Sequence, residues 1–137
     1  MAAGYSGTPL IKKLGITHER KILLINQPKN YFDLIGEDIT RQLCKIDKKP
    51  DLIHLFVSNK DDFETQMKSI LKVLQPTIVI WVSWYKKSSG IKTDISEDMI
   101  RNYSLQNGLV DVKVCAVSEL WSGLKLVVPL KKRFNLK

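Results

Sequence analysis

Three apolar runs, each bounded by charged or turn-forming residues, constrain the fold of this chain more than any other feature. They lie within Lys21–Asn26, Asp51–Val57 and Thr77–Trp84. Short runs of this kind are typical of β-strands that are buried on both faces, as in a parallel sheet. Between the second and third runs, apolar side chains recur at helical spacing, at Phe63, Met67, Ile70, Leu71 and Leu74. Strands that alternate with helices predict an α/β fold with right-handed crossovers.

Residues that begin or end helices place the other elements. Pro9 and Gly15 suit the first position and the end of a short helix, which Thr8 would cap. Ser58 or Asn59 would cap the long helix that follows the second run. The pattern also predicts a helix over Asn30–Gly36, a weak peripheral strand over Gln42–Ile46, and a helix over Ser96–Gln106 that Asn107 and Gly108 end.

The last part of the chain has a different periodicity. Valines and polar residues alternate from Val110 to Ala116, and the alternation resumes at Leu124 after a link over residues 118–122. A period of two on both sides of a short link predicts an antiparallel hairpin. We therefore expect one domain over residues 1–130, with a basic tail over residues 131–137. Its predicted fold is a three-layer, Rossmann-like, mostly parallel sheet with a C-terminal antiparallel hairpin.

The chain is basic, with 22 lysines and arginines against 14 acidic residues and a net charge of +8. Such a surface fits either a nucleic-acid or acidic partner, or simple solvation. The lysines are spread along the sequence without an RNA-binding aromatic motif, a helix–turn–helix or zinc-finger spacing. Nucleic-acid binding therefore stays open without being favoured.

The two cysteines predict neither a disulfide nor a metal site. Cys44 and Cys115 lie in apolar surroundings, outside any C-x-x-C motif or His/Cys cluster, which favours buried free thiols. The N-terminus lacks the basic stretch and apolar core of a signal peptide. The longest apolar run, Ile78–Trp84, is far shorter than the roughly 20 residues of a membrane span. We expect a cytoplasmic protein without a membrane partner.

A rule for open α/β sheets nominates the candidate ligand site: ligands bind outside the carboxyl ends of the strands. Two segments that the rule selects carry polar, aromatic or basic side chains, although solvated loops have a similar composition. The candidate binding residues there are Trp84, Lys86, Lys87, Ser88, Ser89, Gly90, Glu119, Trp121 and Ser122. Trp84 and Trp121 are expected to flank one groove, whereas Trp81 is expected to pack in the core.

The N-terminal loop is a second candidate anion site. Gly4, Tyr5, Ser6, Gly7 and Thr8 supply glycines and hydroxyls next to a helix start, which suits an anion but also suits a simple capping turn.

No catalytic set is predicted. The turn after the first strand, residues 26–30, contains no glycine, and the chain has no Walker motif, so the usual sequence evidence for NAD, FAD or ATP is missing. His54 lies inside an apolar strand and is expected to be a hydrogen-bonded core residue, whereas His18 is expected to be exposed. Asp94, Glu97 and Asp98 are expected to cap and charge the start of the helix at Ser96.

Several segments resemble a small bacterial family known as a domain of unknown function. They are Gly4–Leu10 with Lys12–Ile16, His54–Phe56, Trp81–Trp84 with Lys86, Lys87, Thr93 and Asp94, and Asp111–Val117 with Trp121–Lys125. Tyr85 departs from the proline expected at its position. The resemblance covers nearly the whole chain and implies a fold without an established activity.

The order of the elements is also similar, more distantly, to class I S-adenosylmethionine-dependent methyltransferases. That resemblance implies a truncated methyltransferase-like sheet, since the chain is short by about one strand–helix unit. It does not extend to the acidic, glycine-rich loop after the first strand. S-adenosylmethionine is therefore a doubtful cofactor, and no other cofactor is predicted.

Three functional hypotheses remain. The leading one is a non-catalytic or degenerate module that binds a small anionic ligand or a protein partner. The alternatives are a small methyltransferase-like enzyme with an unusual S-adenosylmethionine site and a protein that binds nucleic acid through its basic surface.

Overall fold

The computed structural model describes residues 8–135, so the candidate residues Gly4, Tyr5, Ser6 and Gly7 lie outside the described part. Within it the chain forms four α-helices and five strands. The helices are α1 (Leu10–Leu14), α2 (Tyr31–Ile35), α3 (Lys60–Leu71) and α4 (Glu97–Gln106), and the strands are β1 (Ile22–Ile25), β2 (Leu52–Phe56), β3 (Val79–Tyr85), β4 (Val110–Ala116) and β5 (Trp121–Val127).

The five strands form one mixed sheet in the order β1-β2-β3-β5-β4. The pairs β1–β2 and β2–β3 are parallel, and β5 is antiparallel to both β3 and β4. This arrangement confirms the predicted α/β fold and the C-terminal hairpin, and it places β3 at the centre of the sheet. Because β4 runs in the same direction as β3, the link between β4 and β5 lies at the carboxyl edge of the parallel strands.

Helices cover both faces of the sheet. On one face, which we call face A, α3 and α4 bury Phe63, Met67 and Ile100 against β2, β3 and β5. On face B, α1 and α2 contribute Leu14 and Tyr31 to a second apolar cluster. Asn59 caps α3 by accepting the Asp62 N–H at 2.8 Å, as predicted. The wholly buried β2 thus has apolar cover on both sides.

Three local predictions are wrong. Residues 42–46 form no strand: 3₁₀ helices at Thr40–Gln42 and Ile46–Lys48 flank a single parallel bridge between Leu43 and Ile22. β1 lies at the edge of the sheet and is only half-buried beyond Ile22. The helix α1 has Pro9, rather than Thr8, as its N-cap residue, although Gly15 ends it as predicted with a φ of 76°.

The C-terminal elements also differ in detail from the prediction. β5 begins at Trp121, so the hairpin link is shorter than residues 118–122. The start of the predicted tail forms a 3₁₀ helix over Leu130–Asn135. Cys44 and Cys115 are free thiols, as predicted, but both are only half-buried.

Gly123 is the tightest position for a side chain on face B. A Cβ there would lie 3.0 Å from Val117 Cγ2 and 3.2 Å from Trp81 Cε3. We predict that Gly123→Ala lowers the free energy of unfolding by about 1–3 kcal/mol because of this overpacking. Urea denaturation measures the change, with Ser122→Ala on the same strand as the control. Without the steric conflict, alanine would stabilise the chain by about 0.4–1 kcal/mol through the unfolded state, so a higher midpoint would contradict the prediction.

Candidate functional site

The largest cleft among those we identified in the described part of the chain lies at the carboxyl edge of β3. It has a volume of about 820 Å³ and is formed by the end of β3, the loop that follows it, the start of α4 and Ser122 of β5. The predicted residues that line it are Trp84, Lys86, Lys87, Ser88, Gly90 and Ser122. Six of the candidate residues therefore line one concave surface at this edge of the sheet.

The other predicted residues do not line this cleft. The Ser89 hydroxyl donates to the Lys86 carbonyl at 2.7 Å and accepts the Ile91 N–H, so this side chain shapes the loop. Glu119 is exposed in the hairpin link. Thr8 is exposed beside α1, which is too short to offer an anion site at its N-terminus.

Trp84 and Trp121 do not flank one groove, which corrects the prediction. Trp84 packs into the core of face A, whereas Trp121 belongs to the cluster on face B. In the sheet register Trp121 is opposite Tyr85, and their rings stack with centroids 4.1 Å apart. Adjacent residues of a strand point to opposite faces, so pairing with Tyr85 places Trp121 on the side away from Trp84. Trp81 is fully buried, as predicted, and its indole N–H donates to the Leu14 carbonyl at 2.9 Å.

Sequence reasoning ended the candidate segment too early. The cleft continues through the second half of the loop, where it is lined by Ile91, Lys92, Thr93, Ile95, Ser96, Glu97 and Asp98. Ser96 caps α4 by accepting the Met99 N–H at 3.2 Å. The signal was present in the sequence, because the polar residues Lys92, Thr93 and Asp94 follow the candidate segment before the start of the helix.

Three lysines and a group of acidic side chains set the charge of the cleft. Lys86, Lys87 and Lys92 lie on its wall. Glu97 and Asp98 also line the cleft, and both form ion pairs with Arg101, the second at 2.8 Å. A third pair at 2.9 Å joins Arg101 to Asp111 of β4, and these hydrogen bonds raise the pKa of the guanidinium. The lysine wall is therefore the part of the cleft that offers positive charge to a ligand.

Two side chains fasten the cleft loop to the segment that joins β2 to α3. The Thr93 hydroxyl donates to the Ser58 carbonyl at 2.7 Å, and Asp94 Oδ1 accepts the Lys60 N–H at 2.7 Å. Asp94 thus caps α3, whereas the sequence placed it at the start of α4. Glu97 and Asp98 do lie in the first turn of α4, as predicted.

A second polar group lies buried in face B. His54 Nδ1 is 2.9 Å from the Tyr31 hydroxyl, and Nε2 is 2.7 Å from the Ser83 hydroxyl. The predicted hydrogen-bonded core histidine is confirmed. Burial lowers the pKa of His54 from 6.5 to about 3 and raises the pKa of Tyr31 above its ordinary value. His54 and Ser83 are both fully buried, so this group stabilises the core and is closed to a substrate.

The crevice between β1 and β2 is where a Rossmann-like sheet would hold a nucleotide cofactor. The connection that leaves β1 enters face B through α2, and the one that leaves β2 enters face A through α3. Ligands bind at such a change of side. Here Asn26, with a φ of 59°, donates from Nδ2 to the Phe56 carbonyl at 3.2 Å and to Asp62 Oδ2 at 2.9 Å. This side chain bridges the crevice, and residues 26–30 offer no glycine for the close approach of a ligand to the backbone.

Comparisons with known proteins show the fold but not a family. No protein-family model and no curated protein matches the sequence, so the resemblance to the family of unknown function gains no support. The chain is similar to a SAM-dependent methyltransferase from Aquifex aeolicus, with a TM-score of 0.56 and 11% identity over 93% of this chain and 90% of that one. It is also similar to a putative type 11 methyltransferase from Sulfolobus solfataricus, with a TM-score of 0.53 and 14% identity over 93% of both chains.

A third similar structure is an O-methyltransferase of neocarzinostatin biosynthesis, solved with S-adenosylmethionine and a naphthoic acid. The TM-score is 0.51 and the identity 12%, and the match covers 79% of this chain but only 41% of that enzyme. The chain therefore has a methyltransferase-like Rossmann fold. In residues 8–135, no helix is long and apolar enough to span a membrane, and no three His, Cys, Asp or Glu side chains are grouped as metal ligands.

The buried His54 predicts a specific loss of stability in acid. Its pKa is about 6.5 when unfolded and about 3 when folded, so between these values the unfolded chain binds more protons. The stabilisation is complete above pH 6.5 and is lost by about 1.4 kcal/mol per unit as the pH falls toward 3. Denaturation of the wild type and of His54→Gln across this range measures the difference in slope. An unchanged slope in His54→Gln would contradict the assignment.

Proposed function

We propose that this chain is a Rossmann-like binding module whose cleft at Trp84–Asp98 takes a small anionic ligand. The observation that supports this most directly is the wall of Lys86, Lys87 and Lys92 around a cleft of about 820 Å³. A cleft of that volume lies within the range of small-molecule sites. Lysine is suited to phosphate and carboxylate groups as a mobile point charge.

The apolar lining indicates that the anion carries an apolar body. Ile91 is 41% exposed, and the nearly buried Ile95 and Trp84 line the same cleft. An exposed isoleucine beside lysines offers an apolar surface to the body of an amphiphilic anion and positive charge to its anionic group. Aryl phosphates and aromatic carboxylates fit this description better than inorganic phosphate does.

The cleft lining supports binding without chemistry. Its hydroxyl groups belong to Tyr85, Ser88, Thr93, Ser96 and Ser122, and no histidine or cysteine lines the cleft beside them. The two carboxylates in the lining, Glu97 and Asp98, are both ion-paired with Arg101. His54 is enclosed in face B. A module that holds an anion and presents it, or senses it, needs none of these groups.

Thermal denaturation with phenyl phosphate, inorganic phosphate and phenol tests the proposal. Phenyl phosphate should raise the melting temperature more than either fragment, because only it uses the lysine wall and the apolar surface together. The double variant Lys87→Ala/Lys92→Ala should lose this shift, whereas Lys68→Ala/Lys72→Ala on α3 should keep it. Ile91→Ser should weaken the binding of phenyl phosphate roughly fivefold, because it removes about 1 kcal/mol of apolar burial. The binding of inorganic phosphate should not change. The proposal would be refuted if phenyl phosphate caused no shift in the melting temperature, or if the two double lysine variants lost that shift equally.

S-adenosylmethionine is the sharpest competitor, because the fold resembles enzymes that bind it. Asn26 bridges the crevice where such a cofactor would meet the backbone, so we predict no stabilisation by the cofactor at about 1 mM. A ligand present at one hundred times its dissociation constant would stabilise the folded chain by about 2.7 kcal/mol, which a melting curve detects easily. S-adenosylhomocysteine serves as the matched second ligand. A shift with either compound would favour the methyltransferase-like enzyme.

A further inference from the structure

The hairpin face opposite α4 carries an unusual pair of like charges. Lys113 of β4 and Lys125 of β5 are direct cross-strand partners. Like charges in that position repel and destabilise a sheet. Neither lysine forms an ion pair within the described part of the chain.

A β-bulge in β4 places its acidic residue and its lysine on opposite faces of the hairpin. The register of β4 against β5 shifts between Asp111 and Lys113, so that Asp111 is opposite Leu126 and Lys113 is opposite Lys125. Leu126 packs in face A, and Asp111 on that side reaches Arg101 of α4. Without the extra residue, Asp111 and Lys113 would lie on the same face and offset each other. The bulge instead leaves face B of the hairpin basic.

Further lysines surround the same surface. Cys115 is the next face-B residue along β4 after Lys113, and it is partly buried against the face-B cluster. The charges of Lys13, Lys113 and Lys86 act on its thiol and lower its pKa, although burial outweighs them. Lysines from α1, the β3 loop and the hairpin thus contribute positive potential at one place.

We propose that this basic surface, formed by Lys13, Lys113 and Lys125 with Lys86 at its margin, binds the phosphate backbone of a nucleic-acid duplex. Lysine meets phosphate as a point charge and reads no sequence. No exposed aromatic ring of the kind that single strands stack on lies in β4 or β5. Val114 is opposite Leu124 of face A, so the exposed Val112 at the bulge is the apolar side chain beside these lysines, and one valine is too small for the apolar centre of a protein interface. The ligand is therefore recognised by its charge and its regular phosphate spacing.

The salt dependence of binding gives the proposal a quantitative form. Each phosphate that a lysine neutralises contributes about −0.9 to the slope of log K against log salt concentration. Contacts from Lys13, Lys113 and Lys125 give a slope of about −3, with a dissociation constant in the non-specific range of roughly 10⁻⁴–10⁻⁶ M.

Fluorescence anisotropy with a labelled 20-base-pair duplex of mixed sequence, as DNA and as RNA, tests this. Lys113→Gln/Lys125→Gln should reduce the slope to about −1 and weaken binding at least tenfold at low salt. The control Lys68→Gln/Lys72→Gln removes the same charge from α3, which covers face A, and should change the affinity less than twofold. The Lys113→Gln/Lys125→Gln variant should also melt at a higher temperature than the wild type, because the repulsion between the lysines is removed, so its lost affinity is not misfolding.

Several outcomes would overturn the proposal. These are no binding at about 20 mM salt, where a slope of this size makes affinity highest, or equal losses in the two double variants. Equal or tighter binding of a polyglutamate chain would assign the surface to an acidic protein instead. Lys86 belongs to both this surface and the cleft at Trp84–Asp98, but none of the variants changes it, so the phenyl phosphate experiment tests the cleft separately.

Discussion

The carboxyl edge of this sheet depends on the hydrogen bonds that the first turn of α3 makes with the loops around it. The first N–H groups of a helix have no partner within the helix and must be satisfied from outside. Asn59 takes the N–H of Asp62, and Asp94 takes that of Lys60 from the loop after β3. Asn26, at the end of β1, bonds to the Asp62 carboxylate. One helix start therefore joins the loops that follow β1, β2 and β3, and the same bonds bridge the crevice between β1 and β2 and fix the loop that forms the cleft.

Much of the fold was predictable because local patterns and tertiary packing agree in it. β2 and β3 are apolar over most of their length since both faces of the sheet are covered, and Phe63, Met67 and Ile70 show the helical period because α3 covers one of those faces. The exception, residues 42–46, contains apolar residues but extends a sheet edge by only a single bridge. An apolar run indicates burial, and it cannot distinguish an added strand from a turn that packs against the sheet.

The candidate site was only partly predictable, since its missing features depend on contacts between distant residues. The edge of the sheet was inferred from strand order, and that inference led to Trp84, Lys86 and Lys87. The pairing of Trp121 with Tyr85 depends on the register of β5 against β3, two strands that are distant in sequence, and no local pattern determines it. Asp94 was assigned to the nearest helix start in sequence, but its partner, Lys60, is 34 residues away. Side-chain caps that cross between elements leave no local pattern to read.

Protection of the sheet edge is a competing explanation for Lys113, because natural edge strands use lysines and bulges to prevent pairing with other chains. β4 is an edge strand and has both features, so Lys113 alone would need no ligand. Lys125 does not fit that explanation, since β5 lies between β3 and β4 and has no free edge to protect. A half-buried lysine in an interior strand, directly opposite another lysine, costs stability without guarding the edge. Protection of the edge therefore explains Lys113 but not Lys125, whereas an anionic partner on face B explains both lysines.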